Sequence, residues 1–121
     1  MNKDIIEGNT LIAEFMCCQK FEFVDDFDRD LSGVRVNDSV YPFESLEYHS
    51  SFDWLIPVIE KISKEFTVNI HSYPSQGFYT VIKEGNFRRG YGENEIAINA
   101  IWNAVIEFIK WYNQHKLRIY E

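Results

Sequence analysis

The side chains best suited to chemistry gather in three places along the chain. Tyr48-His49-Ser50-Ser51-Phe52-Asp53-Trp54 stands directly before an apolar run. A helix beginning there offers unpaired backbone N–H groups that attract anions. His49 changes protonation near neutral pH, and Trp54 can stack on a ring. The same composition also suits a cap, with His49 and Asp53 tying the entry loop and Trp54 in the core. The second place is Arg88-Arg89, flanked by Lys83 and Phe87 in a glycine-containing stretch, the one basic cluster of the sequence. Guanidinium groups grip phosphate or carboxylate, yet the G-x-x-x-x-G-K-[ST] order of a P-loop is missing, and a solvated arginine pair is the plainer reading. The third is Asp26-Phe27-Asp28-Arg29-Asp30. It opens like a calcium loop, but the sixth and twelfth positions hold Leu31 and Asn37 where such a loop needs Gly and Glu, so it reads as an acidic hairpin loop.

The other reactive groups form no known constellation. His49, His71 and His115 lack metal-ligand spacing, so no metal is expected. Cys17 and Cys18 are adjacent and have no second pair to join. They fit a reducing compartment and a role as small buried thiols. There is no G-x-S-x-G, no H-E-x-x-H and no nucleotide fingerprint. The expectation is a non-enzymatic chain with no catalytic residue and no cofactor.

Charge narrows the partners. With 19 acidic against 12 basic residues the net charge is -7. That argues against nucleic acid, whose phosphates call for clustered Lys and Arg, and against an anionic membrane surface. The charged stretch Met1–Glu7 does not resemble a signal peptide, and no apolar run has the ~20 residues that span a bilayer. The chain reads as cytoplasmic. Its 121 residues suit one domain, and a 17% aromatic content can fill a small core or crowd a binding surface.

The elements that position these groups follow from periodicity. Ile98, Ile101, Trp102, Val105, Phe108, Ile109 and Tyr112 recur at helical spacing and predict a long helix from Asn94 to Lys116. Leu55, Val58, Ile59, Ile62 and Phe66 predict a helix over Phe52–Glu65, capped by Ser51 or Asp53 and loosened in its first turn by Pro57. Leu11, Ile12, Phe15 and Met16 predict a short first helix capped by Asn9 and ending near Cys18, with residues 1–8 frayed or a single helical turn. Thr67–Tyr73 and Phe78–Lys83 alternate on either side of the turn Pro74–Gly77 and predict a hairpin with Val68 and Ile70 facing inward. Phe21–Val24 and Val34–Val36 read as short strands, Val40–Phe43 as an edge strand or extended loop because Pro42 cannot donate to a ladder, and Glu84–Glu93 as a polar loop. The class is α+β: a small antiparallel sheet covered by amphipathic helices, in the order α-β-β-(β)-α-β-β-α, as a single domain of residues 1–121.

Three strings carry a family resemblance: Gly8-Asn9-Thr10-Leu11-Ile12-Ala13-Glu14-Phe15-Met16, the stretch from Tyr48 to Ile62, and Val105-Ile106-Glu107-Phe108-Ile109-Lys110-Trp111-Tyr112-Asn113. They resemble small phage and prophage proteins similar to the phage ABA-sandwich domain family. The resemblance covers about a third of the chain and implies a sheet sandwiched between helices. It implies no activity, cofactor or catalytic residue. The chain departs from the group at Phe52, where a tryptophan is expected, and at Cys17-Cys18, where a glycine often follows the first helix.

The expected role is that of a phage or prophage accessory protein that binds a host or viral protein, or a second copy of itself. Ile106 and Trp111, off the main stripe of the last helix, would form a contact patch if exposed. The alternative is a binder or sponge for a nucleotide-like small ligand, built from His49, Asp53, Trp54, Arg88 and Arg89.

Overall fold

The computed structural model describes residues 3–16, 19–21, 33–36, 39–42 and 45–119, with side chains for 3–16 and 45–115. Cys17, Cys18 and the Asp26–Asp30 cluster lie outside the described residues. The fold is α+β, in the order α1 (Lys3–Phe15), β1 (Gln19–Phe21), β2 (Gly33–Val36), β3 (Ser39–Pro42), α2 (Phe52–Ile62), β4 (Thr67–Tyr73), β5 (Gly77–Glu84), β6 (Phe87–Asn94) and α3 (Ala97–Ile119). Contacts gather into two compact units, Met1–Glu47 and Tyr48–Glu121.

In the first unit β1, β2 and β3 form an antiparallel sheet in that order. The α1 helix begins six residues before the expected start. Asn9 is an interior helical residue, 1% exposed, rather than a cap. Its Nδ2 donates to the Leu46 carbonyl at 3.0 Å. A tertiary partner for the amide thus overrides the capping preference of asparagine.

The second unit is a meander, β4-β5-β6, with α3 lying against β5 and β6. The β4–β5 hairpin follows the expected register, from Thr67 opposite Lys83 to Tyr73 opposite Gly77. Its turn has Pro74 in second place and Ser75 at φ 66° in third, closed by Gln76 N–H donating to the Tyr73 carbonyl at 3.2 Å. That is the pattern of a type II turn. The α2 helix stops at Ile62 rather than Glu65, with Ser51 at the N-cap position and no side-chain bond from it. Pro57 lies inside this helix. It withholds the N–H that the carbonyl of exposed Asp53 would receive.

The segment Glu84–Glu93 is not a loop. Gly85 and Asn86 make a two-residue turn, and Phe87–Asn94 pairs antiparallel with β5. Gly85 has φ +60° and Asn86 is not among the positive-φ residues, as a type II′ hairpin turn requires. The inward positions of β6 include Gly90 and Gly92. A Cβ on Gly90 would lie 2.5 Å from the Ala104 carbonyl oxygen, and one on Gly92 would meet the Ala100 carbonyl. The helix therefore rests directly on the strand backbone through Ala100, Ala104 and Phe108. Of the predicted stripe, Ile101, Val105, Phe108 and Ile109 are buried, and Ile106 is buried as well. Ile106 and Trp111 consequently form no exposed patch, since Trp111 is half-buried.

The central strand is buried on both sides, with Thr80 and Ile82 toward the helix and Val81 on the opposite side. Val68 and Ile70 sit opposite Ile82 and Thr80 on the helix side. They belong to an outer strand, however, and Ile70 remains 47% exposed.

Candidate functional site

The expected site residues fall into separate surroundings. His49 is half-buried and Asp53 is exposed in the first turn of α2. Trp54 is half-buried and meets the buried Tyr48 ring edge-on, with centroids 5.1 Å apart. Its indole is a packing group of the helix entry.

The two arginines part company at a β-bulge. Register shifts between Ile82 and Lys83, so that Ile82 faces Gly90 while Lys83 faces Arg88, and Arg89 is the extra residue. Bulges re-aim side chains in this way. Arg89 goes to the helix side, its guanidinium 4.6 Å from the Trp111 ring centroid and 5.2 Å from that of Phe87. It also pairs with Glu84 at 3.0 Å. The Arg89 Nε and Trp111 Nε1 atoms are buried without a hydrogen-bond partner among the described residues. Arg88 stays on the opposite side of the sheet, 4.8 Å from the Tyr91 ring centroid.

That opposite side carries a cluster of stacked aromatic side chains. By register, its outward residues form rows across the strands: Lys83 beside Arg88, Asn69 with Val81 and Tyr91, and His71 with Tyr79 and Glu93. Tyr73 and Gly77 complete it, and a Cβ on Gly77 would lie 2.7 Å from the Asn94 carbonyl oxygen. His71 stacks on Tyr79 at 4.6 Å and 13°, Tyr73 stacks on Tyr79 at 4.9 Å and 29°, and Tyr91 lies 6.2 Å from Tyr79 at 30°. These separations approach the ~4.8 Å strand spacing. The rings therefore stand side by side, upright on the sheet, with much of their faces turned to one another and their edges outward.

Polar groups fix this arrangement. The Tyr91 hydroxyl donates to Glu93 Oε2 at 2.7 Å. This hydrogen bond, then burial, then the Glu93 charge hold the Tyr91 hydroxyl above its ordinary pKa, while Arg88 opposes the rise. Burial chiefly, with help from Tyr79 and the Glu93 charge, raises that of Tyr73. Both phenols are thus neutral donors at physiological pH. Arg88 and Lys83 have no ion pair among the described residues, so one end of the surface is basic and the other, at Glu93, acidic.

The alternation that turns Val68 and Ile70 inward leaves His71 on the outward face, but Tyr73, Tyr79 and Tyr91 are not among the expected site residues. The signal was present in the hairpin, where His71, Tyr73 and Tyr79 share one parity. Tyr91 joins them only once residues 87–94 are read as a strand.

An open hollow of about 560 Å³ is lined by Gln76, Glu93, Asn94, Glu95 and Ile96. None of His49, Asp53, Trp54, Arg88 or Arg89 borders it. Among the described residues no three His, Cys, Asp or Glu side chains come close enough to hold a metal ion, and no helix is long and apolar enough to cross a membrane. No family model, curated protein or solved structure matches this chain.

Proposed function

We propose that this is a non-enzymatic accessory protein, of the phage or prophage kind its sequence resembles, that works in the cytoplasm by binding protein through the outward face of β4-β5-β6. The observation that carries the reading is the row of upright rings, His71, Tyr73, Tyr79 and Tyr91, beside Arg88. Tyr and Arg are the residue types enriched where proteins bind proteins. They present large area at low entropic cost, because the rings already brace one another. A nucleobase wants an open ring face to lie upon, and here neighbouring rings occupy much of that face. The net charge of -7 also disfavours a phosphate backbone.

The alternative, a nucleotide-like ligand held by His49, Trp54, Arg88 and Arg89, asks for one cavity joining those side chains. Arg88 and Arg89 leave the sheet on opposite sides, and no observation favours that reading.

Affinity capture with the immobilised chain tests the proposal. A protein retained by the wild type is expected to be lost with Tyr79→Ala and Tyr91→Ala, both checked for fold by circular dichroism. Retention undiminished by both substitutions would refute it.

A further inference from the structure

We infer that the outward face of β4-β5-β6 pairs with a second copy of itself, as an isologous dimer; this rests on the protein-binding reading and names the partner. The argument is self-complementarity of charge. Three rows cross the face at equal spacing along β5: Lys83 with Arg88, Val81 with Tyr91, and Tyr79 with Glu93. Consider a twofold axis lying in the interface along the middle row. Rotation lays the face on its copy, keeps each strand over the same strand, and exchanges the outer rows. Arg88 of one copy then meets Glu93 of the other, twice over, and Tyr91 meets Tyr91 on the axis. A closed twofold interface demands this reciprocity.

The side chains are ready for it. Arg88 and Glu93 are both exposed, and Arg88 has no ion pair among the described residues. Glu93 uses Oε2 for the Tyr91 hydroxyl, and no hydrogen bond among the described residues uses its Oε1. A chain of net charge -7 repels its copy at a distance. At physiological ionic strength, with a Debye length of about 8 Å, that repulsion fades while charges in contact still count. Three strands at ~4.8 Å spacing and about seven residues at ~3.4 Å give a face of roughly 14 by 25 Å. This is small for a specific interface, so the dimer is expected to be reversible on dilution.

The test is light scattering across a concentration series, with exchanged charges. Wild type is expected to pass from monomer to dimer. Arg88→Glu alone sets like charges together, and so does Glu93→Arg; each should weaken the dimer at least about tenfold. Mixing the two variants restores both opposite-charge pairs and should restore the dimer, which no contact within one chain would do. Amide shifts of the labelled wild-type chain on dilution give a second readout and should centre on His71, Tyr79, Tyr91 and Glu93. A wild type that stays monomeric at every concentration, a mixture no better than its components, or dilution shifts elsewhere would overturn the inference. A monomer that still captures a different protein in a Tyr79-dependent way would rule out the second copy and leave the protein-binding reading standing.

Discussion

Two buried polar side chains show how partners decide the sign of a substitution. Asn9 and Thr80 are 1% and 0% exposed. Asn9 donates to the Leu46 carbonyl, whereas the Thr80 hydroxyl has no hydrogen-bond partner among the described residues. Asn9→Leu strands a buried carbonyl and is expected to cost about 1–3 kcal/mol. Thr80→Val keeps the shape, removes the orphan hydroxyl and is expected to gain about 1 kcal/mol. Urea midpoints at unchanged slope measure both; shifts of the same sign would show that hydrogen-bond satisfaction is not the cause. The tyrosines give a pH dependence of defined direction. In Tyr91 and Tyr73 the folded state holds the proton above the ordinary pKa of 10.0. Their contribution to stability is complete below pH 10 and is lost as pH climbs through the raised folded values. Absorbance titration should show two late-ionising phenols, and both should move back toward the ordinary value in Glu93→Ala, Tyr91 further because it loses the hydrogen bond and the charge together, Tyr73 less because it loses only the charge.

Among the elements, β6 is the one that departs most from what its residues advertise. Strands announce themselves by alternating apolar residues, and this strand has Gly90 and Gly92 at inward positions because α3 rests on its backbone. Gly92→Ala is therefore expected to destabilise by about 1–3 kcal/mol, since the new methyl meets the Ala100 carbonyl, part of a rigid helix backbone. Gly85→Ala makes a contrast, because nothing lies within 4 Å of a Cβ there and its cost is confined to the left-handed turn. Thermal unfolding of the two variants separates packing from backbone strain. The same geometry explains what was legible in the sequence. The α+β class, the hairpin and both long apolar helices follow from periodicities that survive in the packed form. The extent of α1 did not, because the need of Asn9 for a partner at Leu46 is a tertiary fact. Nor did β6, since vacancies at a helix contact look like loop glycines; Gly85-Asn86 was its one local signal. The paired-arginine site dissolved for the same reason, as a bulge cannot be seen before the strand is.

At the scale of the molecule, the unit Tyr48–Glu121 holds both the proposed binding face and the packing that supports it. The two sides of its sheet have opposite tasks. One side receives α3 at such close range that small residues are required, and the other lifts its rings outward. The rigidity of the second depends on the first, because β5 supplies Thr80 and Ile82 inward and Tyr79 outward from one backbone. Phe108 is the pivot on the inner side: it is fully buried, meets Phe66 edge-on at 4.8 Å and stacks with Tyr112 at 5.9 Å. Phe108→Ala is expected to cost about 3–5 kcal/mol, a large share of the ~5–15 kcal/mol that holds a typical domain. All three tryptophans, Trp54, Trp102 and Trp111, belong to this unit, so their fluorescence follows its unfolding. In urea the fluorescence transition of Phe108→Ala should fall well below that of wild type, and dimerisation through the outer face should weaken in parallel as the sheet loosens. A variant with the lower midpoint but an unchanged dimer below its transition would show that the outer face keeps its shape without this support.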